Sequence, residues 1–354
     1  MAVEYYDWNR TLSYDAPITF VITARGVGKT YGLRAQCIRD WLKDGSRFVA
    51  LTRYKDDLRG SNSIQRGWFD KLELNNEFPD HAFKIEGRRA YIARKVAEDE
   101  KPQWHLIGYF TSLTDMHKDK QATYANVRRI IFDEAVIDRR TRHSYLPGEW
   151  GLLTNAFSSI AREEPGKPTK TRLYLLSNAC DLSNPYLYEM GVHDEPRRGY
   201  SWHMGKLVLL HYMVSDDARV EAISQTIAGR MARGREDAAT IARGEFTHAH
   251  SDLIARKPPA ARYQAAFRFK GRTYAIWCDA GAGLYYVTSK APKDARNVYA
   301  MTNEDNTAVN MVNAKRTLPI MRGLVDMHTY NALRFESEAV RAGFMRLLAL
   351  FGVR

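Results

Sequence analysis

Residues 18–34 read Ile-Thr-Phe-Val-Ile-Thr-Ala-Arg-Gly-Val-Gly-Lys-Thr-Tyr-Gly-Leu-Arg, an apolar β-branched run that breaks into a Gly-Lys-Thr loop and then a helix-forming stretch. A strand over 18–22 running into a helix over 29–43 leaves Gly26 and Gly28 in the turn. Without side chains there, backbone N–H groups can point inward at phosphate oxygens held on a helix N-terminus. The pattern is that of a phosphate-binding loop made by Thr23, Ala24, Arg25, Gly26, Val27, Gly28, Lys29 and Thr30. Lys29 is placed to reach the β- and γ-phosphates of ATP, and Thr30 to hold Mg²⁺. Thr23 stands where G-x-x-x-x-G-K-T has its first glycine, which stiffens the loop entry. A bare Gly-Lys-Thr triplet also occurs in solvated loops, so its surroundings have to decide.

About 100 residues downstream, Val127 to Glu134 read Val-Arg-Arg-Ile-Ile-Phe-Asp-Glu. Buried parallel strands are near-continuous apolar runs, and a carboxylate ending such a run emerges where open α/β sheets bind ligands. Asp133 is then the Mg²⁺ carboxylate and Glu134 the general base that polarises the attacking water. Alone, the acidic pair reads as a helix cap with an acidic first turn. Joined to the loop at Lys29, it reads as a Walker B strand. A third apolar run, Arg172 to Ser177, ends in Asn178, which is either a γ-phosphate sensor beside Asp133 or a turn residue before Asp181 and Pro185. The separate glutamate and the intervening strands predict a P-loop NTPase of the additional-strand catalytic-glutamate class. Such enzymes are usually rings, with a neighbour's arginine meeting the charge that builds on the γ-phosphoryl group.

Alternating strands and helices continue through strand 47–53, a helical stretch at 64–76, a hairpin over 83–92 turning at Glu86-Gly87, strand 104–110 and helix 149–162. This is α/β order. From Val214 to Ala249 the composition turns small and charged, which predicts a linker; Arg230, Arg233 and Arg235 there are either a solvated helix face or phosphate contacts. Short strands at 263–270, 272–278 and 283–288 and a helix at 335–351 predict a small α+β domain. The expected division is an ATPase domain over 1–205, a linker domain over 206–250 and a basic domain over 251–354.

The chain of 354 residues is long enough for two cores and carries a formal net charge of +12, which implies a polyanionic partner. From Asp252 onward it holds 16 Lys and Arg against 8 Asp and Glu, so +8 of that charge falls in the last third. Three widely spaced cysteines without a C-x-x-C pattern argue against disulfides and structural zinc, and His248-Ala249-His250 reads as polar surface. No apolar stretch approaches the roughly 20 residues of a membrane span, and the first residues lack a secretory signal, so a cytoplasmic location is expected.

With these motifs in order, the chain resembles the encapsidation ATPases, or DNA-packaging motor proteins, of phi29-type small tailed phages. The resemblance is carried by Leu12-Ser13-Tyr14-Asp15, Ala24-Arg25-Gly26-Val27-Gly28-Lys29, Arg53-Tyr54-Lys55, Glu77-Phe78-Pro79-Asp80-His81 and Ile131-Phe132-Asp133-Glu134. It continues through Leu176-Ser177-Asn178-Ala179, Asn184-Pro185-Tyr186, Asn297-Val298-Tyr299 and Leu333-Arg334-Phe335. It implies a homopentameric ring on the portal vertex of an empty prohead in the host cytoplasm, driving double-stranded DNA inward at the expense of ATP. It also implies a C-terminal domain like a vestigial RNase H-type nuclease. Two residues are expected to act on a neighbour's site: Lys120, in Lys-Asp-Lys-Gln-Ala-Thr-Tyr, and Arg162, in Ile-Ala-Arg-Glu-Glu, with Lys170 and Arg172 as fallbacks for the latter. Nuclease chemistry needs several carboxylates converging on two metals. Asp279, Glu304, Asp305 and Asp326 do not read as such a cluster, so DNA binding without cleavage is expected. Arg268, Lys270, Arg272, Lys315 and Arg316 are candidates for contact with DNA, the portal or a structural packaging RNA. A helicase or recombination ATPase on the same core is the alternative.

Overall fold

The computed structural model describes residues 5–59, 65, 67–97, 99–116, 124–137, 144–162, 166, 168–179, 182, 184–192, 196–232, 251–306 and 319–353. Its strands are β1 (Ile18–Thr23), β2 (Arg47–Thr52), β3 (His81–Glu86), β4 (Arg89–Arg94), β5 (His105–Ser112), β6 (Val127–Phe132), β7 (Arg172–Asn178), β8 (Gly199–His203) and β9 (Val208–Tyr212), then β10 (Arg262–Phe269), β11 (Arg272–Asp279), β12 (Leu284–Thr288), β13 (Val298–Ala300) and β14 (Leu333–Phe335). The helices are α1 (Trp8–Ser13), α2 (Lys29–Asp44), α3 (Asp70–Leu74), α4 (Leu113–Met116), α5 (Glu149–Ala161), α6 (Pro185–Glu189), α7 (Asp217–Ser224), α8 (Ile227–Ala232), α9 (Pro319–Thr329) and α10 (Glu338–Ala349).

Among the described residues, β1 to β9 form one sheet in the order β3-β4-β5-β2-β6-β7-β1-β9-β8. The six strands from β5 to β9 in that order run parallel, flanked by the antiparallel hairpins β3–β4 and β8–β9. All six residues of β1 and the last five of β2 are buried, as expected of strands covered on both faces. β7 lies between β1 and β6, which makes it the additional strand of the predicted NTPase class. Strands β1, β6 and β7 therefore all release their carboxyl ends at one edge. Helix α2 carries Leu33, Cys37 and Ile38 into the core, and burial pushes the Cys37 thiol up to about 12. That thiol is a core group rather than a reactive one.

The boundary expected at residue 205 falls in the turn between β8 and β9. β9 pairs with β1 along its whole length, so the first unit runs on past residue 205 and the segment 206–250 does not begin as a separate linker domain. The described residues within 1–180 and 197–247 form this unit, and those within 181–196 and 248–354 form a second. The helical stretch expected over 64–76 narrows to α3, with 60–64 and 66 outside the described residues.

The second unit has a sheet in the order β13-β10-β11-β12-β14, an antiparallel meander of β10, β11 and β12 with parallel strands added at both edges. Helices α9 and α10 supply Met321, Leu324, Phe344, Leu347 and Leu348 to its core. Phe335, expected to start a helix, ends β14 instead; Ser337 then caps α10 by accepting the Val340 N–H. Helix α6 belongs to this unit. Asn184 caps it, Tyr186 and Leu187 are fully buried, and the Arg346 guanidinium lies 3.8 Å from the Tyr188 ring centre and 3.4 Å from Glu189.

Candidate functional site

The loop between β1 and α2 takes the form its glycines allow. Gly26 and Gly28 both have left-handed backbone, with φ of 74° and 80°, a region other L-residues enter at a cost. Ala24 and Val27 are buried, anchoring the loop, while Arg25 and Gly26 face solvent. Thr23, in place of the consensus glycine, is fully buried and donates its hydroxyl proton to the Ala24 carbonyl at 2.9 Å, so its polar atom is satisfied inside the turn. Tyr6, just before α1, and Trp8, its first residue, brace the loop. Tyr6 N–H donates to the Val27 carbonyl at 2.9 Å, and Trp8 Nε1 donates to the Lys29 carbonyl at 2.8 Å. A Cβ on Gly32 would stand 2.5 Å from the Trp8 ring, so that contact requires glycine. Neither brace carries a sequence signal, because both join residues about 20 apart and end on backbone carbonyls.

Three strand ends bring the predicted side chains together. Lys29, buried on the first turn of α2, donates from Nζ to Asn178 Oδ1 at 2.7 Å. Thr30 Oγ1 donates to Asp133 Oδ2 at 2.9 Å. Asn178 pairs in register with Thr23, and its Oδ1, by accepting from Lys29, faces the loop. Glu134 is exposed at the same edge, in left-handed backbone with φ of 55°, strain of order 1–2 kcal/mol that the surroundings must hold. They hold it from two sides. Ala135 N–H donates to the Leu176 carbonyl at 3.0 Å and Val136 N–H to Ser177 Oγ at 3.2 Å. From the other side Arg53, at the end of β2, donates to the Ala135 carbonyl at 2.7 Å and the Glu134 carbonyl at 3.4 Å, while its Nε meets both Glu149 oxygens at 3.0 and 2.9 Å. Glu149 is completely buried and also accepts the Leu146 N–H at 2.7 Å. Arg53 thus braces the acidic turn, and Glu149, in sequence only the start of a helix, neutralises it.

The arrangement offers an amide cradle with a buried ammonium, a hydroxyl and a carboxylate as hard oxygen ligands, and an exposed carboxylate one residue further on. Thr30 and Asp133 fit a Mg²⁺ ion, whose preferred donors are oxygens of this kind.

The remaining predicted residues lie elsewhere. Arg162 ends α5 in left-handed backbone, exposed, in a cavity of about 460 Å³ shared with Asn126, Val127, Lys170 and Thr171. Val127 and Thr171 mark the amino ends of β6 and β7, so Arg162 and Lys170 lie a strand length, roughly 20 Å, from Asp133 and Asn178 of the same subunit. Arg172 is engaged within its own subunit, reaching both Asp15 oxygens at 2.9 and 2.8 Å. Lys120, Arg233, Arg235, His248 to His250, Lys315 and Arg316 lie outside the described residues. In the second unit Arg268 and Lys270 are exposed, whereas Arg272 lies 4.5 Å over the Tyr188 ring. Asp305 accepts the Lys270 and Gly271 N–H groups at 2.7 Å each, and Asp279 accepts those of Gly281 and Ala282 at 3.1 and 3.2 Å.

The model of the Podovirus DNA encapsidation protein (Gp16) family matches residues 2–349. The chain is 26% identical over 347 residues to a DNA packaging protein of Bacillus phage phi29, covering 95% of each, and 28% identical over 332 residues to one of Bacillus phage B103, covering 93% of this chain and 96% of that one. Its fold aligns with a chain of the bacteriophage phi29 viral genome packaging motor assembly at a TM-score of 0.67 and 24% identity, over 98% of this chain and 99% of that chain. With the loop, the acidic turn and the additional strand in place, a match over nearly the whole length settles the family: this chain is a member of the Podovirus DNA encapsidation proteins.

Proposed function

We propose that this protein is an ATP-hydrolysing motor that drives double-stranded phage DNA into a preformed shell, working as a ring of identical subunits. The observation that carries the reading is the convergence of Lys29, Thr30, Asp133, Glu134 and Asn178 at one sheet edge, on strands ordered with β7 between β1 and β6. The packaging role rests on the family and on relatives named for packaging.

In this reading the loop amides and Lys29 bind the triphosphate. Thr30 and Asp133 would hold a magnesium ion, which when bound would supply neutralising charge to the triphosphate. Glu134, held by the Arg53 brace and exposed at the edge, takes the proton of the attacking water. Asn178 holds the Lys29 ammonium and changes partner as the γ-phosphate comes and goes. Arg162 lies too far from its own loop to reach it, so it acts on the neighbouring subunit's γ-phosphate, together with Lys120; an arginine supplied this way is worth ~10³ to 10⁵ in rate. The exposed cations of the second unit, Arg268 and Lys270 among them, contact DNA, the portal or a structural RNA. Asp279 and Asp305 serve turns, and no DNA cleavage accompanies packaging.

The test is steady-state ATP hydrolysis with and without double-stranded DNA, for the wild type, for Glu134→Gln, and for Glu134→Gln mixed with Arg162→Ala. DNA-stimulated turnover that Glu134→Gln abolishes and mixing partly restores is the expected result. Turnover stimulated only by single strands, with strand separation, would replace packaging by a helicase, and no rescue on mixing would remove Arg162 from the shared site.

A further inference from the structure

The first unit places a second cation at the phosphate loop, from a part of the chain that no motif marks. β9 runs parallel to β1 and continues it, with Met213 N–H donating to the Ile22 carbonyl at 2.9 Å, so the chain leaves β9 at the same edge as the loop. Helix α7 begins there. Asp216 caps it by accepting the Arg219 N–H at 2.8 Å, which fixes Arg219 on its first turn. The Arg219 side chain is buried, 7% exposed, and its Nη2 lies 3.6 Å from where a Cβ on Gly26 would stand. Gly26 permits φ of 74°, and the Arg219 guanidinium lies at ordinary van der Waals distance from that turn of the loop.

We propose that Arg219 is a phosphate-contacting residue acting in cis, which brings helix α7 onto the bound nucleoside triphosphate. This rests on reading the loop at Lys29 as the nucleotide site. Lys29 on the first turn of α2 and Arg219 beside Gly26 set two cationic side chains on the one loop whose amides, in that reading, face the triphosphate. A guanidinium also offers a planar fork of N–H donors that matches two phosphate oxygens at once, which an ammonium does not. Because α7 leads directly into α8 and the segment before the second unit, the same contact makes that helix pair respond to nucleotide.

The test is equilibrium binding of a fluorescent non-hydrolysable ATP analogue to the full chain, alongside thermal melting without nucleotide. The proteins are the wild type, Lys29→Ala, Arg219→Met, which keeps the packing of the stem, and Arg219→Lys, which keeps the charge. Expected is a loss of roughly ten- to a hundredfold in affinity for Arg219→Met, the range of a lost charged hydrogen bond, with partial recovery in Arg219→Lys and an unchanged melting temperature. Arg219→Met binding within about twofold of the wild type overturns the proposal. So does a loss of affinity matched by a fall in the nucleotide-free melting temperature, which would make Arg219 a packing residue. Binding by the wild type and none by Lys29→Ala keeps the reading of the loop intact in either case. A wild type that binds no nucleotide removes both.

Discussion

Asp133 and Asp305 are both acidic residues that follow short strands, yet their oxygens are held in opposite ways. Asp305 is buried and spends both oxygens on the Lys270 and Gly271 N–H groups of the β10–β11 turn and on the Thr302 hydroxyl. Asp133 accepts one hydroxyl, from Thr30, and one N–H, from Glu134, and both partners can turn to a ligand without leaving a buried amide unpaired. Glu134 beside it is exposed in strained backbone. A strand-end carboxylate becomes a site when its partners are replaceable and its neighbours are cations or amides aimed outward. It becomes a structural post when its partners are turn amides.

The largest expected effect falls on the first of these. Glu134→Gln should lower ATP turnover by about 10² to 10⁴, the worth of a general base, with nucleotide affinity and melting temperature unchanged. Asp305→Asn and Asp279→Asn should leave turnover at wild-type level, measured in the same assay. Wild-type turnover in Glu134→Gln would erase the distinction between the two carboxylate sets.

Glu149 is where site and scaffold coincide. Glu149→Ala leaves the Arg53 charge buried without its main partner and should cost about 3 to 5 kcal/mol by denaturant midpoint. Turnover per folded molecule should fall as well, because Arg53 holds the Glu134 and Ala135 carbonyls. A stable variant with normal turnover would show that β7 alone fixes the acidic turn. Asp305→Ala should cost less, about 1 to 3 kcal/mol for stranding buried amides, with turnover unchanged. Loss of turnover without loss of stability there would give Asp305 a part in the chemistry.

What could be read from sequence follows from the same contrast. β1, β6 and β7 were legible because each is an apolar run ending in a residue with a chemical signature: Gly-Lys-Thr, Asp-Glu and Ser-Asn. Their adjacency was not, since pairing of β7 between β1 and β6 joins residues about 150 and 45 apart. β9, Val-Leu-Leu-His-Tyr, is a five-residue apolar run, too short for periodicity to tell a strand from a buried helix segment, and its place beside β1 is set by contacts about 190 residues away. Losing β9 moved the expected domain boundary to 205 and hid the route by which α7 reaches the loop. The Arg53–Glu149 pair is hidden for another reason: Arg53 ends the predicted strand 47–53 and Glu149 starts the predicted helix 149–162, and nothing local in either marks the other as its partner.

The smallest effect separates the two units by titration. On β9, the His211 ring stacks on Tyr200 with centroids 3.7 Å apart and shares a hydrogen bond with the Tyr6 hydroxyl at 2.8 Å, directly behind the strand that carries the phosphate loop. Burial, aided by the nearby Arg10 guanidinium, lowers its pKa to about 4, against about 6.5 in the unfolded chain. The folded form therefore holds the ring neutral where the unfolded chain takes up a proton. The stability this contributes is fully present above pH 6.5 and is lost as pH falls toward 4. Allowing for the part of the ring that water still reaches, the loss at pH 5 should be about 1 kcal/mol. In the second unit, burial and the Arg341 guanidinium move His328 in the same direction. The expected outcome is a denaturant midpoint that drops between pH 7 and pH 5 in the wild type and drops less in His211→Gln. If His211→Gln keeps the full acid sensitivity, the titrating groups lie elsewhere, His328 first among them, and the acid-labile part of the molecule is the second unit rather than the sheet behind the loop.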